Sequence, residues 1–191
     1  MSKVKDNMVT EGLSGKLGKQ IVFRQWSGAT ILAKAPVMNP GLLKNEAAIK
    51  NMIRFKEATV YAKKAMSDPE LKQAYESKCK ACQNAYARAI QDFFSIPSVE
   101  EIDLSNYTGE PDSFIRIYAT DSFRISQVQV RIEDAQGSLV EEGFAEQEEA
   151  TGWWRFTAKV QNQLLEGGKV IATASNLPGN ETTKEVNMAQ Q

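Results

Sequence analysis

The feature that most constrains this chain is a change of hydrophobic period near residue 97. Over about residues 45–94 apolar residues recur at three- and four-residue steps; after residue 97 they alternate with polar ones. A 3.6-residue period buries one face of a helix, and a period of two buries one face of a strand. Such a chain passes from helices to sheets at this point. The charge changes sign at the same place. Residues 1–94 hold 16 Lys and Arg against 8 Asp and Glu, a net of +8, whereas residues 95–191 hold 7 against 16, a net of −9. The expected fold class is therefore α+β, in two parts: a basic hairpin-and-helix region over 1–97 and an acidic all-β region over 98–191.

The first part opens with glycines at 12, 15 and 18, then two runs rich in β-branched and aromatic residues, Lys19–Trp26 and Ala29–Lys34, with Ser27-Gly28 between them. This reads as a β-hairpin closed by Pro36, with Ile21 and Phe23 on one face and Gln20, Val22 and Arg24 on the other. An isolated hairpin is barely stable in water, so it must dock on something. Asn39-Pro40-Gly41 marks a linker. A helix is expected over about Asn45–Ser67, with Ile49, Met52, Ile53, Phe55 and Val60 among its apolar positions. Ser67-x-x-Glu70, with Pro69, reads as a capping box that starts a second helix running to about Phe94 and packing antiparallel on the first.

In the second part, strand-like runs fall near Ile102–Leu104 and at Phe114–Ala119, Ile125–Ile132, Leu139–Ala145, Trp153–Val160, Val170–Ser175 and Thr182–Val186. Turn signals at Ala135-Gln136-Gly137, Gly152, Glu166-Gly167-Gly168 and Pro178-Gly179-Asn180 separate them. Seven short strands at this spacing fit an immunoglobulin-like sandwich.

Chemistry is harder to find. The chain has no histidine, which removes the commonest general base, the commonest transition-metal ligand and the usual pH switch. No catalytic residues and no cofactor are expected. Cys79 and Cys82 form a C-x-x-C, but on the expected mid-helix position it lacks the helix N-terminus that redox pairs use, and zinc needs a second pair or a shared site. Packing on a helical face is the simpler reading, and no metal site is assigned. No stretch reaches the length of a membrane span and no signal-peptide core follows the N-terminus, so the expected setting is cytoplasmic or within a particle or filament assembled there.

Three constellations remain as candidate interaction sites. Lys16, Lys19, Arg24 and Lys34 lie on or near the hairpin and could meet nucleic acid, although 13 of the 16 basic residues in this half are Lys, which weakens a phosphate-clamp reading. Trp153 and Trp154 are adjacent in a strand, so one enters the core and the other faces out, as an interface anchor or a sugar platform. Trp26 at the hairpin tip is a second anchor. Glu141, Glu142, Glu146, Glu148 and Glu149 form an acidic run that lacks the spaced ligands of a calcium loop. It suits a docking surface for the basic half of a neighbour.

Two resemblances add to this reading. Ile117-Tyr118-Ala119-Thr120-Asp121, Val128–Asp134 with Gly137, Trp154-Arg155-Phe156-Thr157 and Val170–Asn180 resemble bacterial immunoglobulin-like or cadherin-like modules; the last run is similar to their A-x-D-x-x-G-N ending, with Asn176 where Asp is usual. The N-terminal part is similar to uncharacterised Bacteroidota proteins that open with G-K-x-G, a V-F strand, a glycine turn and an N-P, here Gly15-Lys16-Leu17-Gly18, Val22-Phe23, Gly28 and Asn39-Pro40. The expected function is a structural subunit of a homo-oligomeric or filamentous assembly, phage-like or an appendage, with interface residues Ile21, Phe23, Arg24, Trp26, Trp153, Trp154, Glu141 and Glu142. Nucleic-acid association through the basic half is one alternative, and carbohydrate or protein binding on the sandwich another.

Overall fold

The computed structural model describes residues 2–4 (by their backbone), 8, 10–26, 28–37, 45–80, 83–148, 151–162 and 165–188. Ser27, Asn39-Pro40-Gly41, Cys82 and Glu149, all invoked above, lie outside the described residues. The protein is mixed α+β, with three helices and three antiparallel sheets among the described residues. It divides into two compact units, residues 1–57 with 80–82 and residues 58–79 with 83–191. The division falls inside a helix, forty residues before the change of period.

The first unit contains a four-stranded sheet in the order β1-β4-β3-β2, formed by Ser2–Val4, Gly15–Leu17, Ile21–Trp26 and Ala29–Lys34 as β1 to β4. The expected hairpin is β3–β4, paired from Ile21↔Lys34 to Trp26↔Ala29. Two three-residue strands flank it: β2 pairs with β3 from Gly15↔Phe23 to Leu17↔Ile21, and β1 with β4. Gly18, with φ of +61°, makes the tight return from β2 into β3. The sheet has little core. Among the described residues of this segment only Thr30, Ile31 and Ala35 are buried.

Helix α1 spans Glu46–Ser67, close to expectation. The second expected helix is two helices, α2 over Pro69–Ser77 and α3 over Ala85–Phe93. Ser77, Cys79 and Asn84 are all weak helix formers. Lys78 leaves the helical path as the cap of α2, and Asn84 begins α3 afresh by accepting from Ala87 N at 2.8 Å. Cys79 is therefore not mid-helix: it sits just past the end of α2, its Sγ donating to Tyr75 O at 3.3 Å. The start of α2 also differs in detail. Asp68, not Ser67, is the N-cap, accepting from Glu70 N and Leu71 N at 3.0 and 3.2 Å, while the Ser67 hydroxyl turns back to Lys63 O. A carboxylate satisfies the same orphan N–H groups and adds a favourable charge at the positive end of the helix dipole.

The second unit carries two four-stranded sheets, β5-β6-β10-β9 and β12-β11-β7-β8. Their strands are β5 Ser98–Asp103, β6 Phe114–Thr120, β7 Ile125–Glu133, β8 Leu139–Phe144, β9 Glu146–Gln147, β10 Trp153–Thr157, β11 Lys169–Asn176 and β12 Glu181–Asn187. All seven expected strands are present; the two-residue β9 is additional. One apolar cluster joins the sheets, with Ile115, Ile117, Trp154 and Phe156 from one and Val128, Val130, Ile132, Val170 and Ala172 from the other. Alternate residues point inward, so the period-two pattern follows from burial on a single face.

A second cluster packs the helices on this unit. Ala62, Ala65, Tyr75, Ala85 and Ala89 close around Phe123 of the β6–β7 loop, with Leu177 at its margin. The helices from Ala58 onward thus belong with the sheets and not, as the charge reading divides the chain, with the hairpin. The ring of Tyr75 stacks on that of Phe123 at 4.1 Å between centroids.

Candidate functional site

The register of the first sheet sorts the hairpin candidates by face. Leu17, Ile21, Phe23, Leu32 and Lys34 share one side; Lys16, Val22, Arg24, Trp26 and Ile31 share the other. Lys19 lies in the turn between β2 and β3. The basic candidates are therefore not one patch: Lys16 and Arg24 stand with Trp26, and Lys34 stands across the sheet among apolar residues. Trp26 is 59% exposed, Ile21 and Phe23 are half-buried, and Lys16, Arg24 and Lys34 are exposed. Gln25 ties the tip of the hairpin to its approach, donating to Leu13 O at 2.8 Å and Thr30 Oγ1 at 2.9 Å.

The tryptophan pair divides as alternation requires. Trp154 is buried in the core between the sheets, and Trp153 lies on the outer face of the β5-β6-β10-β9 sheet. There it is covered by the chain itself. The Arg116 guanidinium sits 4.7 Å over its ring and Tyr118 packs beside it at 5.2 Å. Arg155 lies over Phe114 at 4.3 Å, and Glu148 joins the two arginines, 2.6 Å from Arg116 and 3.0 Å from Arg155. These hydrogen bonds, that from Arg116 above all, hold the Glu148 carboxyl below its usual range. The ring face that a sugar would stack on is already in use.

The acidic run is similarly engaged. Glu141 accepts from Lys159 N and Val160 N at 3.0 to 3.2 Å, ending β10 as a side-chain cap, and Glu142 accepts from Gln129 at 2.6 Å. Among the described residues no group of three or more His, Cys, Asp or Glu is placed to hold a metal ion, and no helix is long and apolar enough to cross a membrane. A cavity of about 580 Å³ lies between β5 and β12, lined by Ile102, Leu104, Tyr107, Leu165 and Met188 with Glu101 beside them.

Two arrangements escaped the sequence reading. The first is a buried polar chain among the helices. Tyr61 and Tyr75 share a hydrogen bond of 2.8 Å, and Tyr75 donates to Asp92 Oδ2 at 2.7 Å. Asp92 is fully buried and its other oxygen has no partner. Burial pushes its carboxyl up to about 6, with the nearby Asp121 carboxylate adding to the rise, while Tyr75 and Arg88 oppose it. Arg88 is itself committed elsewhere, donating to Ser122 O. Burial also raises both tyrosines.

The second is a pair of asparagines in the β11–β12 turn. Asn180 Nδ2 donates to Phe93 O and Ser95 O at 2.9 and 2.8 Å, satisfying carbonyls at the end of α3. Asn176 Oδ1 accepts from Asn180 N at 2.9 Å, and its Nδ2 donates to Ser95 O at 3.1 Å. Asp has no donor for that last bond, which gives Asn at this position a reason. The spacing Asn176…Asn180 was visible in the sequence; its partner, 81 residues earlier, was not.

Comparison with protein-family models, with curated proteins and with solved structures finds no match. The chain's own surfaces carry the functional argument. The charge opposition follows the compact units as well as the halves: residues 1–57 with 80–82 hold 11 basic and 4 acidic side chains, a net of +7, and the remainder 12 and 20, a net of −8.

Proposed function

We propose that this protein is a non-enzymatic structural subunit of a homo-oligomeric or filamentous assembly, phage-like or an appendage, whose second unit is an immunoglobulin-like sandwich of the bacterial immunoglobulin-like or cadherin-like kind. The observation that carries the reading is the sheet of the first unit. Among the described residues β1 and β2 are its edge strands, few of its residues are buried, and Trp26 is exposed beside Arg24. Sheets with open edges and half-buried apolar faces pair readily with a strand or sheet from another chain. Opposite net charges on the two units favour head-to-tail contacts, which are heterologous and grow into rings or open filaments.

The test is light scattering with negative-stain microscopy of the full-length chain at low and high salt. Regular rings or filaments that dissolve as salt screens the charges support the reading. A monomer at both salt concentrations overturns it. Arg24→Glu with Trp26→Ala then removes the charge and the anchor together, and loss of assembly with unchanged circular dichroism places the contact on that sheet face.

The placement of Lys16, Arg24 and Trp26 on one face favours a second reading, nucleic-acid association through the basic unit. It requires binding to DNA or RNA that falls steeply with salt, by roughly one log unit of affinity per log unit of salt for each phosphate neutralised. The carbohydrate reading has less support, since Arg116 lies over the Trp153 ring.

A further inference from the structure

Where two sheets pack through one core, their edge strands either meet or leave a gap. In the second unit the strands β5 and β12 do both. Lys184 Nζ donates to Glu100 O and ties the two edges together. Further along both strands a cavity of about 580 Å³ opens between them, with Leu104 on one wall, Val186 on the other and Leu165 reaching it from the loop before β11. All three side chains are only half-buried. The volume is that of a small-ligand pocket and not of a packing defect. Among the described residues that line it, the charged ones are Glu101, Asp103 and Glu166, and none is Lys or Arg. Two other depressions of this unit differ, one walled by Arg116 and Arg155 and the other by Arg155 and Lys159. The β5–β12 cavity thus fits an apolar group with a positive charge beside it.

The first unit presents such a group. Trp26 lies at the last rung of the β3–β4 hairpin, opposite the small Ala29, and is exposed. Arg24 stands two residues back on the same face of the strand, so indole and guanidinium project together. Gln25, between them, points the other way and donates to Leu13 O and Thr30 Oγ1, which fixes the strand that carries the pair. Tryptophan and arginine are the residues most enriched where a few side chains carry an interface, and they do so when seated in a pocket. We infer that Trp26 of one copy enters the β5–β12 cavity of the next, with Arg24 against the carboxylates of Glu101, Asp103 and Glu166.

The inference rests on the proposal that the chain assembles with copies of itself, and it names the site that receives the anchor. The contact runs in the same sense as the opposite net charges of the two units. It joins two different surfaces. A pair of copies therefore keeps a free Trp26 at one end and an open cavity at the other, and growth continues through the same contact.

Sedimentation equilibrium of the full-length chain over a concentration series tests it, with far-ultraviolet circular dichroism to check folding. Trp26→Ala is expected to weaken association at least ~30-fold, as the loss of a central aromatic anchor does. Leu104→Trp fills the cavity from within its own chain and is expected to weaken it as much. Neither variant grows alone, but a mixture of the two offers one open cavity and one Trp26 per pair, so it is expected to stop at 1:1 dimers. Arg24→Glu is expected to weaken association about tenfold. Adding Glu101→Lys and Glu166→Lys to that chain restores opposite charges across the contact and is expected to recover the wild-type constant to within about threefold. Arg24, Glu101 and Glu166 are all exposed, so this swap keeps the test decisive if Leu104→Trp fails to fold. A wild-type chain that assembles while Trp26→Ala changes nothing overturns the contact and leaves the assembly reading standing. Loss of assembly in Trp26→Ala, with no rescue of Arg24→Glu by the reversed carboxylates, overturns the cavity as the receiving site. A wild-type chain monomeric throughout overturns both proposals.

Discussion

The buried Asp92 makes a prediction whose sign and size both follow from its surroundings. Its carboxyl is pushed from an ordinary 3.8 up to about 6, chiefly by burial. Between those values the folded state holds a proton that the unfolded state has released, so stability falls as pH rises through the window. Above pH 6 the folded state bears the full cost of a buried carboxylate, and below 3.8 it bears none. Two units correspond to about 3 kcal/mol, a large fraction of a typical domain's stability. Asp92→Asn keeps an acceptor for Tyr75 and a donor towards Asp121, so it mimics the protonated acid at every pH. The variant is expected to exceed wild type by about 3 kcal/mol at pH 7.5 and by about 1 kcal/mol at pH 4.5. Urea unfolding at the two pH values measures the difference. Glu148 and Glu133, held low by Arg116 and by Lys169, shift stability the other way as pH falls, but they are common to both proteins and cancel in the comparison. An equal gain at both pH values, or a loss at pH 7.5, would refute the reasoning. It would mean that Tyr75 and Arg88 satisfy the carboxylate better than burial penalises it.

Asn176→Asp removes the Nδ2 donor to Ser95 O and sets a carboxylate against that carbonyl, so a loss of about 1–3 kcal/mol is expected in the same urea assay. Gly109 combines φ of +79° with a neighbouring Asn162 O only 2.5 Å from where a Cβ would stand; Gly109→Ala is expected to lower stability by about 2 kcal/mol or more, whereas Gly137→Ala, at similar φ but with open space around it, should cost only the ~1–2 kcal/mol of the backbone conformation.

The sheets of the second unit were legible because each has one buried face. Ile115, Ile117 and Ala119 alternate with Phe114, Arg116 and Tyr118 for that reason alone, and the turns carry the glycines that close them. Strands β1, β2 and β9 were not legible: two or three residues hold too little pattern to outvote their neighbours. The break between α2 and α3 was missed because no Gly or Pro marks it; it arises from the ends of two caps, Lys78 and Asn84. Tyr61, Tyr75 and Asp92 read as ordinary helical positions, and only their convergence makes them a network. On α1 the sequence revealed the apolar positions but not which of them the chain itself would cover. Ala62 and Ala65 are small enough to let the helix approach the cluster around Phe123.

Viewed mechanically, the β11–β12 turn is a clamp. Its two asparagine amides hold the end of α3 and the following Ser95 carbonyl to a turn that joins the inner strand β11 to the edge strand β12. The cap on the end of α3 is thereby supplied by residues more than 80 positions further along the chain, so opening the β11–β12 turn also uncaps the helix.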